Sequence, residues 1–252
     1  MKFAAIIIIT FLFFGYSLSE GAGKKISERG NKHNFSYQNI SSNYRALPTG
    51  EMEGFPSRSN QICVFCHTPH GSSGEGPLWN RQASTVSFFK HFSSASLAID
   101  DPSVRGISEY GQPNGSSRLC LSCHDGVTAL GALFSTPSGA TPMYFLDVRT
   151  GQSGTNIHLP YETYSSHHPV SFKYDVNVRN ILTSPPYNRP YWFSPANGVT
   201  LDRYQRMQCT TCHDPHQDKS DVQDPTTPFW TGKTYAEVCK SCHNMASPPS
   251  FP

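Results

Sequence analysis

The sequence is short of the residues that ordinarily fill a protein interior. Hydrophobic residues make up only 37% of its 252 positions, whereas Gly (19) and Pro (20) are plentiful. That balance favours turns and loops over a large aliphatic core. Charge is scarce too: charged residues are 15% and the formal net charge is +2, with no basic run. A disordered polyelectrolyte and a nucleic-acid-binding surface are both excluded on that ground. No long amphipathic helical period and no regular series of strands appears. No apolar run reaches the ~20 residues of a membrane-spanning helix. The longest follows Lys2, from Phe3 to about Gly15, and suits the hydrophobic region of a signal peptide. Residues 1–22 are read as that peptide, with Ser17, Ser19, Gly21 and Ala22 offering cleavage choices and no nearby cysteine for a lipid anchor. Export follows, with no transmembrane segment afterwards.

What the chain does contain is one pattern four times over. All eight cysteines fall in Cys63-Val-Phe-Cys66-His67, Cys120-Leu-Ser-Cys123-His124, Cys209-Thr-Thr-Cys212-His213 and Cys239-Lys-Ser-Cys242-His243. C-x-x-C-H is the attachment signature of c-type haem. Two thiols three residues apart can form thioethers to both vinyl groups on one porphyrin edge, and the next residue can then offer an imidazole to the iron. Disulfides or Cys₄ zinc sites would use the cysteines but do not require the histidines. Histidine is only 11 of 252 residues, so its recurrence after every second cysteine is not chance. The expectation is four covalently attached c-type haems, with Cys63, Cys66, Cys120, Cys123, Cys209, Cys212, Cys239 and Cys242 as attachment residues. His67, His124, His213 and His243 are the proximal iron ligands. Four such groups in one mature chain would form much of the interior, and their propionates would make the nearly neutral polypeptide acidic.

Each iron also needs a sixth ligand or an open position. Seven histidines remain for this: His33, His70, His91, His158, His167, His168 and His216. Met52, Met143, Met207 and Met245 are alternatives. His70 follows His67 by three residues, and two residues of chain cannot wrap round a porphyrin edge. It therefore reaches for a neighbouring haem, and His216 stands in the same relation to His213. His168, followed by Pro169, opens a strand-like stretch at 168–178 in which Val170, Phe172, Tyr174 and Val176 alternate. His33 lies in a polar N-terminal arm, His91 in an aromatic cluster and His158 in a loop. Trp79, Trp192 and Trp230 suit porphyrin edges, subunit contacts or ordinary burial.

The motifs fall into two look-alike pairs. CHTPH (66–70) resembles CHDPH (212–216), while LCLSCHD and VCKSCHN share Ser-Cys-His. This suggests a duplicated two-haem unit, about 33–180 and 181–252, within one tetrahaem domain spanning 23–252. Stretches 70–77, 109–117 and 182–198 are rich in turn residues, and short helices are expected over 119–133 and 234–244. The fold class is mostly irregular, with short helices and few strands around a haem core.

Several segments are similar to a known family: KHNFS (32–36), QICVFCHTPHG (61–71), PLWNR (77–81), SRLCLSCHDGVTALG (117–131), SHHPVSF (166–172) and CTTCHDPH (209–216). Together they resemble the doubled CXXCH family of multihaem cytochromes c and its OmcE-like tetrahaem branch, which polymerises into extracellular nanowires. The resemblance implies distal ligation by His33, His70, His168 and His216. It also implies that one axial histidine comes from an adjacent subunit, for which His33 on its long arm is the candidate. The expected function is electron transfer through closely stacked bis-histidine haems, without bond-making catalysis. The implied setting is an extracellular or cell-surface homopolymer that meets other cytochromes or extracellular acceptors. A soluble periplasmic carrier is the first alternative. A nitrogen-oxyanion or hydroxylamine-type oxidoreductase with one open haem is the second.

Overall fold

A computed structural model describes residues 24–36, 38–39, 61–76, 78–84, 86, 89, 93–94, 96–125, 133–135, 168–189, 198–219 and 229–243. Within them lie helices α1 (Pro102–Ser108), α2 (Gly115–Leu121), α3 (Val176–Thr183), α4 (Cys209–Cys212) and α5 (Tyr235–Cys239). Two short strands, β1 (Phe172–Lys173) and β2 (Arg206–Met207), pair antiparallel with Phe172 opposite Met207. Turns and coil make up most of the remainder, as the composition leads one to expect. No helix among the described residues is long and apolar enough to cross a membrane.

Local chemistry explains where the short helices start. Pro102 opens α1 behind Asp101, whose carboxylate accepts from the Ser103 amide at 2.8 Å. Aspartate at the cap and proline in the first turn are a favourable start. Asp175 caps α3 in the same way, accepting from Val178 N at 2.9 Å. This cap corrects the expected strand over 168–178. Val170, Phe172 and Tyr174 are buried as the alternation requires, but only Phe172–Lys173 pairs as strand. At Asp175 the backbone turns helical, and Val176 is left 55% exposed. The second motif's helix starts earlier than expected, at Gly115, and residues 126–132 lie outside the described set.

An apolar cluster among the described residues joins Ile99, Val104, Tyr110, Phe172, Tyr174, Val178, Leu182, Met207 and Cys242. It gathers α1, both strands, α3 and the fourth motif into one body. The division suggested near residue 180 therefore falls inside α3, with core residues on both sides of it.

Polar contacts fix the second motif against the third. Gln208 is 1% exposed, and its carbonyl accepts from Ser117 Oγ (2.6 Å) and Ser171 Oγ (3.3 Å). Its amide nitrogen donates to Asn114 Oδ1 (2.8 Å) and Asp202 Oδ2 (3.0 Å). Ser117 Oγ in turn accepts from Cys209 N at 2.9 Å. Gly115 has φ +52°, and a Cβ there would stand 2.9 Å from Gln208 Nε2. Only glycine combines that backbone angle with so close an approach. Gln208→Ala would leave several buried partners unsatisfied, so it is expected to lower the unfolding free energy by about 1–3 kcal/mol. Urea denaturation of the purified variant measures this.

Candidate haem sites

Each C-x-x-C-H segment closes the same turn. The histidine amide donates to the carbonyl of the first cysteine at 2.7 Å (His67), 2.9 Å (His124), 3.0 Å (His213) and 2.9 Å (His243). One helical turn thus carries both sulfurs and the imidazole on one side of the chain. The motifs also meet in sequence order. Cys66 and Cys123 are close enough to interact electrostatically, the Cys120 and Cys209 side chains hydrogen-bond, and Cys212 lies near Cys239 and Cys242.

No disulfide joins any of the eight cysteines. Burial pushes the Cys66 and Cys212 thiols up to about 12, and Cys242 to about 11. Cys120, hydrogen-bonded to Cys209 and buried, is also held well above the usual thiol range. Burial at these four positions suits an uncharged sulfur such as that of a thioether, whereas Cys209 is held below the usual thiol range by hydrogen bonds from Cys120 and Ser117.

The histidines give a sharper test of fit. Two imidazoles on opposite sides of one metal, each at about 2 Å from it, have ring centres about 6.2 Å apart. Three pairs stand at that spacing: His67 and His216 at 6.2 Å, His168 and His243 at 6.2 Å, and His33 and His124 at 6.3 Å. Each unites a C-x-x-C-H histidine with one of the distal candidates. The residues present therefore fit a six-coordinate haem iron at three motifs, with His216, His168 and His33 as the residues that would complete it.

Neighbouring groups orient two of these candidates. His33 Nδ1 donates to the Pro215 carbonyl at 3.1 Å, and His168 Nδ1 to the Pro169 carbonyl at 2.7 Å. Each bond leaves Nε2 with the lone pair, the tautomer a metal ligand needs. His33 is also stacked on Phe229, with ring centres 4.1 Å apart and planes 9° apart. Its arm is stitched to the third motif through Ile26 N to His216 O (2.7 Å) and Asp218 N to Lys24 O (2.9 Å). Asn39 closes the arm on itself, donating to the carbonyls of Asn31 (3.1 Å) and Asn34 (2.8 Å) and accepting from Gly30 N (2.8 Å).

The remaining candidates fall elsewhere. His70 is exposed and makes no ring contact with another histidine among the described residues. His213 has its ring stacked on Trp230 at 4.6 Å and 17°. His33, expected on an arm reaching outward, lies against its own chain's His124. Met207 is buried in the core and lines an apolar cleft with His168 and His243. A second, open cleft of about 610 Å³ exposes Cys63, His67 and His70 together. His91, His158, His167, Trp192 and the other methionines considered lie outside the described residues.

Phe229 and the three arm asparagines escaped the sequence reading. Asn34 and Asn39 do begin N-x-S sequons, but at 3% and 1% exposure their amides are structural. Three asparagines within nine positions around a histidine were the available signal.

Among known families, the one described as a doubled CXXCH motif matches residues 203–247, which hold the third and fourth motifs. The match supports a multihaem c-type cytochrome. Haem in such a protein is covalently attached, and its usual task is carrying electrons. No curated protein matches the chain.

Two measurements test the sites. The interplanar angles are 18° for His67 and His216, but 68° and 78° for the other two pairs. The angle between axial imidazole planes governs the splitting of the iron d orbitals. Electron paramagnetic resonance of the oxidised protein is therefore expected to show two classes of low-spin ferric signal, one from near-parallel and one from near-perpendicular ligands.

Burial lowers the pKa of His33, His168 and His243 below the usual histidine value, and for His243 the neighbouring His168 adds to this. Below about pH 6.5 the unfolded chain takes up protons that these native histidines resist. Stability is accordingly expected to fall as pH drops from 7.5 to 5.5, read as a decreasing denaturant midpoint.

Proposed function

We propose that the protein is a tetrahaem c-type cytochrome that passes electrons along haems ligated on both faces by histidine. The observation that carries this reading is the set of three imidazole pairs at 6.2–6.3 Å, each centred on a C-x-x-C-H turn. When bound, haem supplies a one-electron iron couple. The chain fixes spacing through contacts between successive motifs and, through burial, favours the neutral form of His33, His168 and His243. Ligands on both faces at three of the motifs would leave no iron position there for a substrate, which favours a carrier over an oxidoreductase.

We extend the reading to a filament of identical subunits outside the cell. Support comes from His70, the distal candidate left at the surface. Leu78 and Phe134 are 52% and 53% exposed, and both lie along the segment paired through Asn80. A ligand-type histidine beside exposed apolar residues suits a contact with another copy of the chain. His70, rather than His33, is then the histidine offered to a neighbouring subunit.

Expression with a c-type haem attachment system tests both levels. Intact-mass measurement is expected to give four haems per chain; fewer would sink the tetrahaem reading. Electron microscopy of extracellular material is expected to show thin polymers for wild type and none for His70→Ala. Polymers from His70→Ala with every haem low-spin would remove the subunit-contact role. His33→Ala is expected to turn one haem per chain high-spin.

A further inference from the structure

The first and third motifs are built alike. In the first, Thr68 N donates to Leu78 O and Asn80 N to Cys66 O, both at 2.8 Å. In the third, Asp214 N donates to Phe229 O at 2.7 Å and Thr231 N to Cys212 O at 2.8 Å. Leu78 and Phe229 share the left-handed backbone region, with φ 55° and 66°. The bridge pairs His67 with Trp79 in one copy and His213 with Trp230 in the other. One step further along, the copies part. Asn80 is followed by Arg81, whereas Thr231 is followed by Gly232.

Arg81 is 1% exposed, the largest side chain buried to that degree among the described residues. Its neighbours hold on to two motifs at once. Asn80 is tied to the first, through its amide to Cys66 O and through Nδ2 to Val64 O at 2.7 Å. Trp79 Nε1 donates to Ser122 Oγ of the second at 3.2 Å, and Ser84 Oγ donates to Asp125 Oδ2 at 2.5 Å. Arg81 itself bridges Leu133. Residues 79–84 thus form a strap between the two cysteine-bearing turns, with the Arg81 side chain buried along it. The guanidinium is close enough for its charge to act on both Cys66 and Cys123.

A guanidinium keeps its proton inside a protein, and burial spares its field from screening by water and salt. Oxidised haem iron carries one more positive charge than reduced iron, so a fixed cation nearby favours the reduced form. The buried Asp125 carboxylate acts on Cys123 in the opposite sense. We propose that Arg81 is a buried positive charge shared by the first and second haem sites, raising the reduction potential of both, with Asp125 offsetting it at the second. This rests on the haem reading above. The third site has glycine at the matching position, and the lysine that follows, Lys233, is exposed.

The test is a redox titration of the haem-loaded full chain, followed by electron paramagnetic resonance. Haem content per chain is measured first; a chain that carries no haem fails the haem reading and overturns this inference with it. Arg81→Gln is expected to move two signals to lower potential: the near-parallel one of His67 and His216, and one near-perpendicular signal. The others stay in place. Arg81→Lys keeps the charge and should restore most of the shift. Asp125→Asn should move one near-perpendicular signal to higher potential. Arg118→Gln removes an exposed guanidinium beside the second motif and should move none. Unchanged midpoints in Arg81→Gln, at wild-type haem content, overturn the proposal. So does an equal shift in Arg81→Lys, which would make packing rather than charge the cause. If Arg81→Gln loses haem, Asp125→Asn decides: a midpoint that does not rise overturns the proposal.

Discussion

The tightest constraint on this chain is the turn that joins each cysteine pair to its histidine. It commits both sulfurs and one imidazole to the same side, and the imidazoles that approach that one come from distant parts of the sequence. His33 meets His124, His67 meets His216 and His168 meets His243, each across most of a motif spacing or more. Such pairings are long-range contacts of the kind a hydrophobic core usually makes. A chain with few aliphatic residues can use them instead, provided something else aligns the partners. Here the alignment comes from backbone bonds and buried amides: Gln208 between the second and third motifs, and the Asn31, Asn34 and Asn39 cluster behind His33. Polar groups so placed are satisfied and therefore rigid, which a ligand-bearing arm needs.

Much of this was legible in the sequence because attachment chemistry has a fixed spacing. C-x-x-C-H names its residues outright, and the twin C-H-x-P-H segments announce that the first and third sites are related. The surplus of histidine pointed to ligation on both faces. His168 was preferable to its neighbour because Pro169 stiffens the chain after it. The Pro169 carbonyl then proves to hold its ring nitrogen as well. Irregular architecture followed from the Gly and Pro content.

The parts that stayed hidden depend on contacts between segments far apart in sequence. An arm of polar residues looks like a loop until Ile26 and Asp218 reveal its pairing with the segment after the third motif. Nothing within 24–39 says which motif its histidine approaches, because that is decided by where residues 215–218 lie. The strand expected over 168–178 failed for a local reason, since alternation and a helix cap compete at Asp175 and the cap prevails. Asp-Pro at 101–102 was a readable helix start that the periodicity of so short a segment could not advertise.

The likeness of the first and third motifs, in unequal surroundings, is the more instructive feature. Both copies keep the bridge, the left-handed residue and the tryptophan, so these belong to the shared scaffold. What differs is what lies on top. In the third motif Phe229 is covered by His33, and the arm is thereby drawn inward. In the first motif the equivalent Leu78 is half exposed beside an open cleft that contains His70. One arm cannot cover two turns, so a repeat that closes one site by folding back leaves its twin facing outward. The asymmetry that draws three histidine pairs together is the same asymmetry that leaves His70 exposed beside the first motif.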